Sequence, residues 1–483
     1  MLHSTAHYTA EARLGNGSCT PGHKRFGILK IATSEADKRA LPAQHFILNV
    51  DRSGSMACRE RDGMSKMQHV IHTIKNMLRY LAGAPEVGEV HISVIAFDDR
   101  TECVIDKALL SNDNLQDLLM AVDEIHARNM TDIGAAIEAA NKQRRDFVGE
   151  AVHTHVLLTD GVATCGATDC DALRNMLDTS HRNIFIGYGI DHSMRTLQGM
   201  ADYDEGRYYF VESAESAGNV YGEVLHDVLY ELMTGTVLSV GGGEIYDWRT
   251  NTWGGELKAG SLPAGVERVF HVRREDPHGG GRTEMDLVVS YTCGGVEHRG
   301  GATVPASHGT NEADPELERY AYRQQVMELM YEAKDGGGSG LEGRIRELAA
   351  RITETTEGGQ DCAFMNNLLD DLRVAEGSLR SPHGPLYLGA RRVSQGDQRA
   401  HNVTDLGAMD WPSLGDGGPL PPLGQLPPFD GSLANAGAST SGGRRLSNGA
   451  SPYACAAQSR LMRECSGQPE ASASTDADTP PEP

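Results

Sequence analysis

The sequence predicts an α/β fold, a parallel sheet with helices on both faces, joined to a small β-sandwich and a C-terminal helical segment. Three observations predict it. From residue 44 to residue 233, short apolar runs alternate with helical patterns without a break, and strands alternating with helices of that length build parallel sheets covered on both sides. From 234 to about 310 the helical period disappears, and β-prone pieces alternate with glycine-rich turns. From 311 to 380 apolar residues return at helical spacing.

Residues 1–43 read as irregular except for RFGILKIA at 25–32, a short strand expected to join the sandwich. That placement makes the α/β unit an insertion within the sandwich, with its two ends close together. HFILNV at 45–50 is an unbroken apolar run, fit for a strand buried on both faces. Met64, Met67, Val70, Ile71, Ile74, Met77, Leu78 and Leu81 then recur at steps of three and one, which places them on one face of a helix. Residues 90–97 and 101–105 read as strands linked by the turn Asp98-Asp99-Arg100, and 114–125 and 132–147 as helices. Residues 152–159, 183–188 and 207–211 complete the strands, and a helix over 214–233 closes the unit. Sandwich strands are expected at 236–240, 266–272, 285–292 and 296–299, and helices at 317–334, 341–355 and 363–376. From 381 to 483 the chain is rich in Gly, Pro, Ser and Ala and reads as a disordered tail. Its conspicuous apolar stretch, 409–414 with 420–423 beyond, reads as an unstructured linker, with a peptide ligand for a partner as the alternative.

At 483 residues, 39% of them hydrophobic, the chain has material for two or three domains. A net charge of −23 argues against nucleic acid or an anionic membrane as the main partner, since both repel an acidic surface. No N-terminal apolar run suits a signal peptide and no segment approaches membrane-spanning length. Nine cysteines without a C-x-x-C read as reduced thiols, Cys165 and Cys170 included. Both points predict a cytoplasmic protein. Asn129-Met130-Thr131 is a glycosylation triplet, but a glycan there would cover a threonine assigned below to a metal, which favours a compartment without glycosylation.

Ligands of such sheets bind beyond the carboxyl ends of the strands. Asp51-Arg52-Ser53-Gly54-Ser55 stands directly after the first strand, Asp160-Gly161 directly after the strand at 152–159, and Thr131-Asp132 opens the helix between them. Taken singly, each has an ordinary reading: a turn or helix cap for D-x-S-x-S, an N-cap for Thr131, a turn for Asp160-Gly161. Together they place two carboxylates and three hydroxyls in three loops on one sheet edge. That set suits a hard cation. Magnesium takes six oxygens at about 2.0–2.1 Å. Hydroxyls of Ser53, Ser55 and Thr131 ligate without cancelling its charge, while Asp51 and Asp160 orient them from one water further out. A metal with few direct carboxylates stays electrophilic and favours an anionic oxygen brought by a partner.

With these residues, and with VIAF at 94–97 and FIGYG at 185–189, residues 44–233 resemble a von Willebrand factor type A domain with a metal-ion-dependent adhesion site. The resemblance implies a doubly wound, Rossmann-like, mostly parallel six-stranded sheet of strand order 3-2-1-4-5-6. It implies that Asp51, Ser53, Ser55, Thr131 and Asp160 hold Mg2+, Mn2+ or Ca2+ for an Asp or Glu of a partner protein. Arg52 departs from the family, where small or apolar residues are commoner, and is expected to add a positive rim. Asn129 and Met130 replace the glycine that usually stands close before the threonine. The domain order loosely resembles that of intracellular, intein-associated relatives, without the residues of self-splicing.

Other candidates read as structural. His153 and His155 share a strand face, and His69 and His72 a helix face; both pairs could ligate zinc, and both read as packed or solvated. Residues 344–351 read as a solvated charged helix face. The sequence therefore predicts a metal-dependent protein-interaction module rather than an enzyme. Its rivals are a hydrolase using the cation as Lewis acid, with Asp132 or His192 as base or nucleophile, and a scaffold whose metal site is vestigial.

Overall fold

The chain opens with three strands, β1 (Leu2–Ser4), β2 (Tyr8–Leu14) and β3 (Lys24–Thr33), in a computed structural model. The structure describes residues 2–4, 7–14, 24–35, 42–60, 62–84, 88–212, 214–275, 284–305, 314–336, 338–357, 362–381, 383–402 and 451–467.

The α/β unit follows: β4 (Gln44–Asp51), α1 (Lys66–Gly83), β5 (Val90–Phe97), β6 (Thr101–Leu109), α2 (Leu115–Asp123), α3 (Ile133–Arg145), β7 (Val152–Thr159), α4 (Cys170–Met176), β8 (Arg182–Tyr188), α5 (Met194–Met200), β9 (Gly206–Val211) and α6 (Ala214–Leu229). Its six-stranded sheet runs β6-β5-β4-β7-β8-β9, and every pairing is parallel except β5 with β6. Counted within the unit, that is the expected order 3-2-1-4-5-6. Every residue of β4 is buried, because β5 and β7 flank it and helices cover both faces. Phe46, Leu48 and Val50 face Val70, Ile74, Leu78 and Leu225 of α1 and α6. On the opposite face Leu157 and Phe185 pack with Ile133, Ile137, Leu173 and Leu197 of α3, α4 and α5. A capping box of Ser65 and Gln68 starts α1, and the Asp132 carboxylate starts α3 by accepting from the Ala135 N–H.

The chain then builds β10 (Glu231–Gly241), β11 (Glu244–Asp247), β12 (Thr252–Gly254), β13 (Glu256–Pro263), β14 (Glu267–Glu275), β15 (Glu284–Cys293) and β16 (Val296–Pro305). The helix expected to reach 233 ends at Leu229, and β10 takes over at Glu231. The sandwich has one sheet of order β1-β2-β3-β14-β11-β12 and another of order β13-β10-β15-β16. Pairing of β3 with β14 from Lys24–Glu275 to Ala32–Glu267 makes the α/β unit an insertion in the sandwich, as its sequence pattern implied.

Four helices pack beyond the sandwich: α7 (Pro315–Ala333), α8 (Leu341–Glu357), α9 (Cys362–Ser378) and α10 (Gly384–Asp397). A fifth, α11 (Ala456–Ser466), lies across α6 and α1. The last two correct the expectation of a disordered tail from 381 onward. Tyr387 and Leu388 of α10 are buried, and its Arg391 pairs with Asp371 at 2.7 Å, so the helical segment runs on to Asp397. The apolar stretches at 409–414 and 420–423 lie outside the described residues. Among those described, no helix is long and apolar enough to cross a membrane, and Cys58, Cys103, Cys165, Cys170, Cys455 and Cys465 are free thiols.

Candidate metal centre

Because β4 and β7 are parallel neighbours, their carboxyl ends reach the same sheet edge, and Asp51 meets Thr159 there. The Thr159 hydroxyl donates to Asp51 Oδ2 at 2.6 Å and the Ser53 N–H donates to Oδ1 at 2.7 Å. A hydroxyl and a backbone donor thus fix a carboxylate with no exposed surface. From Ser53 the polar chain continues outward. Ser53 Oγ lies 3.1 Å from Ser55 Oγ, and Ser55 Oγ donates to Asp160 Oδ1 at 2.6 Å. Asp160 is fully buried, whereas Ser55 is exposed, so the site opens to solvent at Ser55.

Thr131 reaches this place on a loop tied to the first one. Arg128 N donates to Arg52 O at 2.6 Å and Gly54 N to Asn129 O at 3.1 Å. Asn129 takes a left-handed φ of 60°, a conformation asparagine tolerates better than most residues. Thr164 holds Thr131 from the other side: its hydroxyl accepts from Thr131 N at 2.9 Å, and its N–H donates to Thr131 O at 2.9 Å. At Gly161 a Cβ would stand 4.0 Å from both Ser55 Oγ and Thr131 Oγ1. The two hydroxyls therefore border one space beside that glycine. Asp51, Ser53, Ser55, Thr131 and Asp160 all converge where the sequence placed them.

The donor set fits a hard divalent cation. All its atoms are oxygens, and two buried carboxylates stand within one hydrogen-bonded group. Burial pushes the Asp51 carboxyl up to about 6 against the donors from Thr159 and Ser53, and the charge of Asp160 adds to the push. A positive charge in this space would relieve that cost. Among the described residues no group of three or more His, Cys, Asp or Glu could hold a metal; the oxygens at this sheet edge come from two carboxylates and three hydroxyls.

Three residues of the site were not legible as such. Thr159 is the last residue of an apolar strand and gave no signal. Asp98, read as part of a turn, is 1% exposed and organises both loops: its Oδ2 accepts from Arg52 Nε at 3.1 Å and from Arg128 Nε at 2.8 Å, and its backbone carbonyl accepts from Asp132 N. Arg52 is consequently 5% exposed and forms no positive rim, because its guanidinium turns inward to Asp98 and to Glu102. The third is Lys66, whose Nζ donates to Asp160 Oδ2 at 2.9 Å. A lysine as the first residue of a helix, where the backbone end is positive, was the available signal.

The remaining candidates are engaged elsewhere. Asp132 caps α3. His192 is buried, with Nδ1 2.7 Å from Gly189 O and Nε2 2.7 Å from Tyr208 OH, and burial pulls it down to about 4. His155 contacts Asn49 and Asn183, His153 contacts His45, His69 contacts Asp62, and His72 contacts Asn76. Around the centre, Met130 and Val162 are 50% and 48% exposed, one beside Thr131 and the other beside Gly161. A cavity of about 190 Å³ adjoins Gly161, lined by Ile133, Val162, Thr168, Ser193 and Thr196.

The model of the von Willebrand factor type A domain matches residues 47–223. Among solved structures, a von Willebrand factor type A protein from Catenulispora acidiphila is similar over 82% of this chain and 98% of its own, at 13% identity and a TM-score of 0.53. The ArnB paralog VWA2 from Sulfolobus acidocaldarius is similar over 82% and 100%, at 12% identity and a TM-score of 0.46. Proximal thread matrix protein 1 from the mussel byssus, in a structure with a zinc-occupied MIDAS motif, is similar over 38% and 45%, at 21% identity and a TM-score of 0.31. No curated protein matches the chain.

Proposed function

We propose that the von Willebrand factor type A domain at residues 47–223 is a metal-dependent protein-interaction module. In this reading Ser53, Ser55 and Thr131 would hold Mg2+, Mn2+ or Ca2+ directly, and Asp51 and Asp160 would orient them. When bound, the cation supplies an electrophilic position for a carboxylate oxygen of an Asp or Glu on another protein. One observation carries the reading: three hydroxyls and two buried carboxylates meet at a single sheet edge, in a site that opens to solvent at Ser55.

The surroundings support binding over catalysis. Exposed Met130 and Val162 give an apolar border of the kind that contact surfaces use, and the cavity beside Gly161 has room for a side chain next to the acidic one. Asp132 and His192, the groups a hydrolase would recruit, already serve a helix cap and the Tyr208 hydroxyl.

The test has two arms on the full chain. Calorimetric titration with Mg2+ and Mn2+ should show one site in the wild type, weakened about 10- to 100-fold or more in Thr131→Ala and lost in Asp51→Ala with Thr131→Ala. Capture from lysate should then yield proteins retained in Mg2+ and released by chelator, and absent with the double variant. Identical capture in chelator and in the double variant would move the binding surface away from this edge and sink the proposal.

A further inference from the structure

We infer that Lys66 is a tethered counter-ion that makes cation binding at this centre depend on the arrival of an acidic ligand. The inference rests on the metal-binding reading above and goes beyond it, since nothing in that reading requires a lysine.

The geometry is specific. Ser65 and Gln68 already start α1 through a complete capping box, so the helix has no need of Lys66. A cation at that first position even opposes the positive end of the helix. The side chain nonetheless runs inward and is only 9% exposed. Its ammonium donates to Asp160 Oδ2 at 2.9 Å, with Asp191 Oδ2 at 3.9 Å and the Tyr188 ring centroid at 6.0 Å. Gly189 makes room for it: φ is +70° there, and a Cβ would stand 3.3 Å from Nζ. Asp160 is thereby divided between two duties, one oxygen taking the Ser55 hydroxyl and the other Lys66.

Counting formal charge gives the consequence. Asp51 and Asp160 contribute two negative charges, and Lys66 cancels one. A divalent ion entering alone would leave the buried group at +1, and like charges a few ångströms apart in a partly buried site repel strongly. One carboxylate from a partner brings the sum to zero. Lys66 therefore weakens the ion alone and favours the ternary complex of protein, ion and acidic ligand. It also keeps the metal-free site stable by giving Asp160 a counter-charge.

The experiment titrates Mn2+ into the full chain, with and without excess acetate as the carboxylate probe, for the wild type, Lys66→Met and Lys66→Arg. Expected are weak Mn2+ binding by the wild type alone, at least about tenfold tighter binding with acetate, and the same pattern in Lys66→Arg. Lys66→Met should bind Mn2+ alone at least about tenfold tighter than the wild type and gain little from acetate. Melting in chelator and in Mn2+ checks the fold: Lys66→Met should melt lower than the wild type in chelator and recover in Mn2+. If the wild type binds Mn2+ and Lys66→Met binds it no tighter, the inference falls while the metal reading stands. If no variant binds Mn2+ under any condition, both fall.

Discussion

Asp98 stands directly after β5, where a chain leaving a buried strand normally turns into solvent, yet it is among the least exposed acids of the α/β unit. Burial alone would raise its carboxyl, but the hydrogen bond from Arg128, the Arg100 N–H and the charge of Arg52 outweigh that and hold it below the usual range. The pair with Arg52 explains why an arginine occupies the second position of the D-x-S-x-S loop: it fastens that loop to the one carrying Thr131. Removing one partner of a buried pair is strongly destabilising, so Asp98→Asn, which leaves buried Arg52 only the exposed Glu102, should cost about 3 kcal/mol in urea unfolding. It should also weaken cation binding about tenfold, because the Thr131 loop loses its anchor. Arg52→Leu combined with Asp98→Asn should cost less than Asp98→Asn alone, and an equal or larger loss would refute the pairing argument. The five predicted site residues were legible because each follows a strand end or opens a helix, so position along the chain fixed position in space. Asp98, Thr159 and Lys66 were not, since their roles come from contacts with loops distant in sequence.

At the scale of elements, β4 and β7 read correctly as buried strands, but the polar residues inside them carried more than the apolar pattern showed. Asn49 Nδ2 donates to Ala136 O at 2.6 Å, tying β4 to α3, and lies 3.1 Å from His155 Nε2, which must accept; His155 Nδ1 then donates to Asn183 Oδ1 at 2.8 Å. This arrangement needs a neutral imidazole, and burial pulls His155 down to about 4. Nearby, His45 and His153 approach through their Nδ1 atoms at 3.0 Å, and burial pulls them to about 3 and about 4. Between pH 6.5 and about 4 the unfolded chain binds protons that the folded one refuses, so stability falls as pH falls through that window. For His155 alone the shift corresponds to about 3 kcal/mol. Melting measured from pH 7.5 down to 4.5 should show this decline. His155→Gln keeps a donor and an acceptor without titrating, so it should be less stable at pH 7.5 and lose less on acidification. An unchanged pH slope in that variant would rule out His155 as a source.

At the scale of the whole molecule, the insertion of the α/β unit into the sandwich was legible because RFGILKIA at 25–32 is a strand set apart from the other sandwich strands by the whole unit, and β14 pairs with it from the far side; its other neighbour, β2, corrects the reading of the N-terminal residues as irregular. The return of the C-terminus was not legible. The eleven residues of α11 carry one narrow apolar stripe, Leu461, Met462 and Cys465, in a Gly- and Ser-rich surrounding. The clearer mark lay in its receptor: Gly218 and Gly222, one turn apart on α6, where a Cβ would stand 2.5 Å from atoms of Ser466 and Met462. Those glycines let the two helix backbones approach, and Asn76 of α1 donates to Cys465 O at 3.2 Å from the other side. Ending the chain at residue 450 should therefore uncover the groove between α1 and α6 and lower the unfolding free energy, because Leu461, Met462 and Cys465 lose burial of roughly 1.5–3 kcal/mol each. Gly222→Leu in the full chain should cost a similar amount by displacing α11, and in the shortened chain it should add little, since both changes remove the same contact. Cys465 gives an independent readout: it is fully buried, and burial pushes its thiol up to about 12, so it should resist alkylation in the wild type and react readily in Gly222→Leu. Full additivity of the two changes, with Cys465 still protected, would mean that α11 is not seated on these glycines.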